Sequence, residues 1–230
     1  MNYLVTGGHG KLGSALCPLI EAVVPTRTEM NILEKERVDF YATHFPVDAI
    51  LHLAAVSDTV LAEKDTHASY AINVRGTANV AEVAKKHGKK IIYISTDYVF
   101  PGTTGDYRET DEPSPSNWYG FTKYAGELEI RERTDNFLII RTAFRPSVWP
   151  FKSAYGDVYT SADYVDVIAG EIAKALMLDI TGILHIGTAK KTLFELAGRR
   201  NPAIVSESSP VGFPKRKDLH IEKWERLKRV

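Results

Sequence analysis

The sequence has little cysteine, no excess of either charge and no long apolar run. Cys17 is the only cysteine, so the chain cannot form an internal disulfide. The sequence also starts without a basic and apolar leader. Together these two features predict a cytoplasmic protein. Basic and acidic residues both number 29, so no net field draws the chain to nucleic acid. The apolar runs fall well short of the roughly 20 residues that span a bilayer. We therefore expect a small-molecule ligand and neither a nucleic-acid nor a membrane partner.

Short apolar runs alternate with helical segments from Tyr3 to Thr142, which is the pattern of a parallel sheet covered by helices on both faces. The predicted strands are NYLV, AVVP, DAILHLAA, KKIIYIST and NFLIIRT. Helices are predicted from about Lys11 to Ala22, where Pro18 should kink or shorten the helix, over LEKERVDFYATHF, from Thr66 to His87 and from Trp118 to Arg133. The sequence therefore predicts an α/β protein with a Rossmann-type, doubly wound parallel sheet.

Beyond Thr142 the alternation loosens. The segment FRPSVWPFKSAYGDVYTS is aromatic and has no clear period, which suits the lining of a cleft better than a core. A helix over ADYVDVIAGEIAKALML, a strand at GILHIG and a short helix near TLFELAG follow. Acidic residues interrupt the basic tail FPKRKDLHIEKWERLKRV, so we expect an ordinary solvated helix there.

Glycines cluster between the first strand and the first helix, in the stretch TGGHGKLG. The spacing is G-x-x-G-x-x-G. At this position free backbone N–H groups and a helix N-terminus can hold a pyrophosphate, although a tight strand-to-helix turn would also use glycine. We predict a dinucleotide-binding loop, with contacts from Thr6, Gly7, Gly10, Lys11, Leu12 and Gly13.

The end of the second strand indicates which dinucleotide is bound. An acidic residue there binds the ribose 2′-hydroxyl of NAD, whereas an arginine accommodates the 2′-phosphate of NADP. Arg27 stands at this position and favours NADP(H), while Glu29, two residues later, leaves NAD(H) as the alternative. Further cofactor contacts are expected at Asn31, Ile32, Leu53, Ala54 and Ala55.

Tyr119 and Lys123 stand four residues apart on a predicted helix, so both face the same way. A neighbouring ammonium favours the phenolate form of a tyrosine, and such a phenol can exchange a proton with a substrate oxygen. Thr96 ends the fourth strand at the carboxyl edge of the sheet, where its hydroxyl can bind the same oxygen. We predict Thr96, Tyr119 and Lys123 as catalytic residues.

These pieces make the chain similar to the extended short-chain dehydrogenase/reductase family, and within it to the dTDP-4-dehydrorhamnose reductases. The resemblance is carried by the glycine loop, LHLAA, INVRGTANVAEVA and above all ISTDYVFPGTTGDYRETDEPSPSNWYGFTKYAGE. It implies a nicotinamide cofactor and reduction of the C4 ketone of a nucleotide-linked 6-deoxy sugar. It also implies that Tyr119 and Lys123 contact the cofactor, that a homodimer is one assembly open to the chain, and that the substrate is bound by Ser57, Asp97, Tyr98 and Phe144.

The resemblance weakens after residue 145. Only Arg145 to Tyr159 stand where the reductases carry a longer segment, and Phe144 replaces their usual tryptophan. We therefore predict a NAD(P)-binding domain over residues 1–145 and a shortened substrate-binding lobe over residues 146–230, interleaved with the last strands and helices of the core. Lys215 and Arg216 are candidates for the substrate diphosphate. The sugar and its nucleotide stay open.

Two other functions fit parts of the pattern. An epimerase or dehydratase of the same family binds nucleotide sugars, but dehydratases commonly place an Asp-Glu pair behind the threonine, whereas here Asp97 and Tyr98 follow it. A regulatory subunit that binds NADP without catalysis is the second alternative. The seven histidines are scattered and no Cys or His cluster has ligand spacing, so no metal is expected.

Overall fold

A computed structural model describes residues 1–229 and contains a parallel sheet of six strands. The strands of the chain are β1 (Tyr3–Thr6), β2 (Ala22–Val23), β3 (Ala49–His52), β4 (Lys90–Thr96), β5 (Phe137–Thr142), β6 (Phe144–Arg145), β7 (Ser153–Tyr155), β8 (Tyr159–Thr160), β9 (Asp163–Tyr164), β10 (Gly182–Ile186), β11 (Lys191–Thr192) and β12 (Val205–Glu207). The main sheet has the order β10-β5-β4-β3-β1-β2, and the other strands form three two-stranded pairs. The strands predicted before Thr142 and at GILHIG are thus confirmed.

The α-helices are α1 (Lys11–Leu16), α2 (Lys35–His44), α3 (Thr59–Lys64), α4 (Thr66–Tyr70), α5 (Thr77–Lys86), α6 (Trp118–Arg133), α7 (Val165–Leu176), α8 (Leu193–Gly198) and α9 (Glu222–Leu227). α1 is shorter than the predicted segment, because Pro18 lies in a tight 3₁₀ turn that follows it. α3 was not predicted. Its N-cap is Asp58, whose carboxylate accepts hydrogen bonds from the N–H groups of Val60 and Leu61, a capping contact that periodicity does not reveal.

Helices cover both faces of the sheet, which confirms the predicted doubly wound architecture. One core cluster joins the strands to apolar residues of α1 and α7, and a second joins them to α2, α5 and α6. The central strands are buried along their length: every residue of β1 and β3 has less than a tenth of its surface exposed. This agrees with the near-continuous apolar runs of a sheet covered on both faces. Among residues 1–229, no helix combines the length and apolar character needed to cross a membrane.

α4 and α5 form one helical segment interrupted by a π-helical turn at Ala71–Gly76. Asn73 lies in this turn and is fully buried. Its side chain accepts a hydrogen bond from the Val56 N–H at 2.8 Å and donates to the Val56 carbonyl at 3.1 Å and to the Thr122 hydroxyl at 2.9 Å. The π turn therefore ties the loop after β3 to α6.

The C-terminal tail contributes to the core as well as to the surface. Trp224 on α9 is fully buried in the cluster with α1 and α7, and its indole N–H donates to Glu171 on α7 at 2.8 Å. The expectation of an ordinary solvated helix is therefore wrong for this face of α9. The alternating charges of the tail obscured it, because one large aromatic residue among them supplies most of the apolar contact.

Replacing Trp224 with alanine is expected to lower the free energy of unfolding by about 3–5 kcal/mol, because it removes a large buried side chain and leaves Glu171 without its indole donor. Urea denaturation measures this loss. Trp224→Phe should cost less, since it keeps most of the volume. Phe151→Ala is the control: that side chain is 65% exposed, and a loss comparable to that of Trp224→Ala would contradict the assignment.

Candidate active site

A cavity of about 890 Å³ opens at the carboxyl ends of the central strands. β2 and β3 follow β1 in the chain but pair with opposite edges of β1. The strand order therefore changes direction beside β1, and ligands of open α/β sheets bind at such a switch point. The predicted site residues that line the cavity are Gly7, Gly10, Lys11, Leu12, Gly13, Arg27, Asn31, Ile32, Leu53, Ala54, Ala55, Ser57, Thr96, Asp97, Tyr98, Tyr119, Lys123 and Phe144.

The glycine loop forms one end of the cavity. Gly7 has a positive φ of 70°, and a Cβ atom there would lie 2.6 Å from the backbone N of Ala54. A Cβ on Gly13 would overlap the backbone of Gly8. α1 begins directly after Gly10 and no side chain caps its first N–H groups. The spacing of the glycines thus serves close packing of backbone against backbone and leaves peptide N–H groups available to a ligand.

Thr6 was predicted to contact the cofactor but does not line the cavity. It is 1% exposed, and its hydroxyl lies 2.6 Å from Nδ1 of His52 and accepts the Ala54 N–H at 3.3 Å. The Thr6 hydroxyl thus has partners within the fold, and its cofactor contact stays a prediction. Thr6 ends β1 with its side chain turned toward β3, so it fixes the two strands that carry the cavity floor.

Arg27 and Glu29 face different surroundings. Arg27 lines the cavity, whereas Glu29 does not. The Glu29 carboxylate accepts hydrogen bonds from the backbone N–H and the hydroxyl of Thr26, each at 2.7 Å. These hydrogen bonds lower the pKa of Glu29, the backbone one most. Of these two charged residues in the turn after β2, the cation and not the carboxylate therefore lines the cavity.

The Thr96, Tyr119 and Lys123 side chains come together because α6 begins against the end of β4. Asn117 caps α6 by accepting the Gly120 N–H at 2.7 Å. A Cβ on Gly120 would overlap the carbonyl oxygen of Tyr98, so only glycine allows this close approach. The predicted helix from Trp118 to Arg133 is confirmed, and its first turn places Tyr119 beside the strand end.

Burial governs the ionisation of the two helix residues. Burial raises the pKa of Tyr119, and a hydrogen bond with Thr96 acts in the opposite direction but less strongly. Burial lowers the pKa of Lys123 to about 7, against the attraction of the Glu127 carboxylate. The Lys123 ammonium lies 3.9 Å from the centre of the Tyr93 ring. The expected phenolate is thus not favoured in this arrangement, and Tyr119 holds its proton at neutral pH.

Asp97 and Tyr98 lie beside Thr96 and contact the C-terminal tail. Burial raises the pKa of Asp97, while Lys217 and Arg145 act in the opposite direction. Lys217 is 7% exposed, and its ammonium donates to the Tyr98 hydroxyl at 3.1 Å. Sequence reasoning missed Lys217 because more than a hundred residues separate it from Tyr98. No local pattern indicates this contact.

Arg145 is a further cation in the lining of the cavity. It lines the cavity, and its guanidinium donates to the carbonyl of Phe144 at 3.2 Å. Within residues 1–229 it forms no ion pair, whereas Lys215 pairs with Asp157 at 2.7 Å. Lys215 and Arg216 do not line the cavity. Other lining residues that were not predicted include His9, Met30, Val56, Ser95, Thr142, Pro146, Ser147 and Val165.

Known proteins similar to this chain are found by sequence and by structure. The family model described as RmlD substrate binding domain matches residues 1–149. A dTDP-4-dehydrorhamnose reductase of Aggregatibacter actinomycetemcomitans is 30% identical over 219 residues, which are 85% of this chain and 72% of that protein. The methionine adenosyltransferase 2 subunit beta of Rattus norvegicus is 34% identical over 151 residues, which are 60% of this chain and 45% of that protein.

Among solved structures, dTDP-4-dehydrorhamnose reductase (rfbD) from Bacillus anthracis str. Ames, in complex with NADP, superimposes with a TM-score of 0.87. The sequence identity is 25%, and the match covers 98% of this chain and 91% of that one. The family model matches well over half of the chain, and the Aggregatibacter reductase is matched over most of its own length. As the sequence resemblance predicted, the chain belongs to the RmlD substrate binding domain family.

Proposed function

We propose that the chain is an NADPH-dependent reductase of a nucleotide-linked 4-keto-6-deoxy sugar. The observation that carries this proposal is the meeting of Thr96, Tyr119 and Lys123 in one cavity whose other end is the glycine loop. Members of the family with matching sequences carry the name dTDP-4-dehydrorhamnose reductase.

The residues at the glycine-loop end fit a dinucleotide. The loop at Gly7 packs too closely against Ala54 to admit a Cβ, and the first N–H groups of α1 are uncapped. Arg27 is placed to bind a 2′-phosphate, because it faces the cavity while Glu29 is turned onto Thr26. NADP(H) is therefore the favoured cofactor, and a related reductase structure contains NADP.

The chemistry divides between cofactor and protein. When bound, a nicotinamide dinucleotide supplies the hydride for the ketone carbon. Tyr119 gives its proton to the ketone oxygen, since burial keeps the phenol protonated. The Thr96 hydroxyl hydrogen-bonds the same oxygen, and Lys123 holds the nicotinamide ribose and offsets the negative charge that develops on Tyr119.

On the substrate side, an aromatic wall stands beside a cation that has no ion pair within residues 1–229. Phe144, Ser57, Asp97 and Tyr98 line the cavity around the reacting groups. Arg145 is free to bind the substrate diphosphate, because a guanidinium pairs well with phosphate oxygens. A homodimer is the assembly that we propose for the enzyme, and light scattering on the purified chain measures it.

A regulatory subunit is the second candidate function. It is favoured by the match to the methionine adenosyltransferase 2 subunit beta, which covers 60% of this chain. A chain of this kind would bind NADP but would not reduce a keto sugar. An epimerase or dehydratase is disfavoured, because Tyr98 occupies the position of the second carboxylate that a dehydratase commonly uses.

The purified protein is expected to oxidise NADPH when it is given dTDP-4-keto-6-deoxyglucose, its epimerised ketose, or the same ketone on UDP or GDP. Tyr119→Phe should lower kcat by about 10²–10⁴-fold, because it removes the proton donor. The absorbance of NADPH measures both the oxidation by the parent protein and the kcat of Tyr119→Phe. Tyr124→Phe is the matched control, since Tyr124 lies on the same helix and its hydroxyl donates to Glu112, outside the cavity.

Two results of this experiment separate the candidates. Oxidation that requires Tyr119 and persists in Tyr124→Phe supports a reductase and ranks its substrates. NADPH binding without oxidation of any of these ketones contradicts the proposed substrate class and favours the regulatory subunit.

Arg27→Ala is expected to raise the KM for NADPH about tenfold or more and to leave the KM for NADH unchanged, because a charge-assisted hydrogen bond to the 2′-phosphate is lost. Initial rates with each cofactor measure the effect. Arg37→Ala is the control, since Arg37 is exposed and pairs with Glu34 outside the cavity. An equal change with both cofactors would show that Arg27 does not read the 2′-phosphate.

Arg145→Gln is expected to raise the KM for the sugar nucleotide about tenfold, with the KM for NADPH unchanged, because the side chain keeps its size but loses its charge. Steady-state kinetics measure this split. Lys215→Gln is the matched control, since that cation pairs with Asp157 instead of lining the cavity. A larger effect of Lys215→Gln would move the diphosphate site to the tail.

A further inference from the structure

A buried polar cluster lies directly behind the catalytic side chains and has no role in the mechanism above. It consists of Ser95 on β4, Glu127 on α6 and Arg141 on β5, and we call it the Glu127 cluster. Ser95 donates its hydroxyl proton to Glu127 at 2.5 Å, and the Arg141 guanidinium donates to both carboxylate oxygens, at 2.7 Å from Nη2 and 3.0 Å from Nε. All three residues are at most 4% exposed.

Ser95 lines the cavity, and every member of the Glu127 cluster is next to another residue that lines it. Ser95 precedes Thr96 on β4, and Glu127 follows Lys123 by one turn of α6. Arg141 precedes Thr142, which is the register partner of Thr96 in the parallel β4–β5 pair. The cluster therefore joins the two elements that carry Thr96, Tyr119 and Lys123, at the level where these elements meet.

Stability alone does not explain such a cluster. Burying a carboxylate and a guanidinium costs solvation energy that their attraction offsets only with good geometry, and apolar residues of similar size often stabilise as well or better. In the part of the chain described here, Arg141 also keeps one buried guanidinium nitrogen, Nη1, without a hydrogen-bond partner. An ion pair, unlike an apolar contact, fixes direction as well as distance, which suits the placement of neighbouring reactive groups.

The Glu127 cluster also acts on Lys123 electrostatically. The Glu127 carboxylate raises the pKa of Lys123 against the larger effect of burial, which leaves that pKa at about 7. Other titratable groups near Lys123 are Tyr93 on β4 and His52 on β3, and Tyr119 lies one turn earlier on the same helix. Burial lowers the pKa of His52 to about 3, with Lys123 contributing, so His52 is neutral and Glu127 is the anion that acts on Lys123.

We propose that Glu127 is a positioning residue, which holds Lys123 charged and α6 in register with Thr96 through its contacts with Ser95 and Arg141. The proposal rests on the proposed reductase function for its kinetic consequences. Its electrostatic consequence does not depend on any substrate.

The electrostatic consequence is measured by an NMR titration of lysine Cε in isotope-labelled protein, with Lys123→Arg to assign the signal. Glu127→Gln is expected to lower the titration midpoint of Lys123 by about one pH unit, because it removes the carboxylate charge that favours the ammonium. Lys123 is then less protonated at pH 7. The alkaline limb of the kcat/KM profile for keto-sugar reduction should move to lower pH by the same amount, with kcat at pH 7 reduced about tenfold.

Glu171→Gln is the matched control. Glu171 is also a nearly buried carboxylate, bonded to Trp224 and to Lys228, but it lies outside the cavity and contacts none of the catalytic residues. It should leave both the Lys123 midpoint and the pH profile unchanged. Glu127→Asp keeps the charge on a shorter side chain, so it should restore the midpoint to near that of the parent while kcat stays low.

Several outcomes decide the inference. An unchanged midpoint and kcat in Glu127→Gln would overturn it, as would an equal shift in Glu171→Gln. If Glu127→Gln fails to fold because Arg141 loses its partner, Glu127→Asp and Ser95→Ala replace it in the test. Full kcat in both variants rejects a positioning role. A loss of kcat in both, with the titration midpoint of Lys123 unshifted, supports it. If the parent protein reduces none of the keto sugars, the reductase proposal fails while the Lys123 titration still tests the charge coupling.

Discussion

The packing of α6 against the carboxyl end of β4 is the contact on which the rest of the site depends. Gly120 allows the helix to approach the carbonyl oxygen of Tyr98, and farther along α6 Glu127 accepts the hydroxyl proton of Ser95. A phenol, an ammonium and a hydroxyl from two elements consequently share one cavity. If α6 lay farther from β4, the fold would be kept, but the side chains of Thr96, Tyr119 and Lys123 would no longer lie together.

Close packing also decides the electrostatics. Removing water from the helix–sheet interface raises the pKa values of Tyr119 and Asp97 and lowers that of Lys123 to about 7. The spacing of Tyr119 and Lys123 suggests an attraction between their charges. In the structure, desolvation has the larger effect on both pKa values. The result is a phenol that holds its proton more strongly than a solvated tyrosine, beside a lysine whose pKa is lowered by burial and raised to a smaller extent by Glu127.

The two ends of the cavity are built in different ways. The glycine loop and Arg27 come from nearby stretches of the chain and lie within the part that the family model matches, residues 1–149. The other end of the cavity is lined by Arg145 and Tyr98, and Tyr98 accepts a hydrogen bond from Lys217 of the tail. Changes near the C-terminus can therefore alter the surroundings of Tyr98 while the glycine loop and Arg27 stay the same.

The sequence by itself determined the sheet, most of the helices, the glycine loop and the Tyr119–Lys123 pair, because periodicity, turn residues and one-turn spacing are local properties. Only the tertiary structure decided that Thr6 turns away from the cavity and that Arg27, and not Glu29, faces it. It also decided the burial of Trp224. These outcomes depend on which distant segments cover a side chain and exclude water from it, and such information is absent from any single stretch of residues.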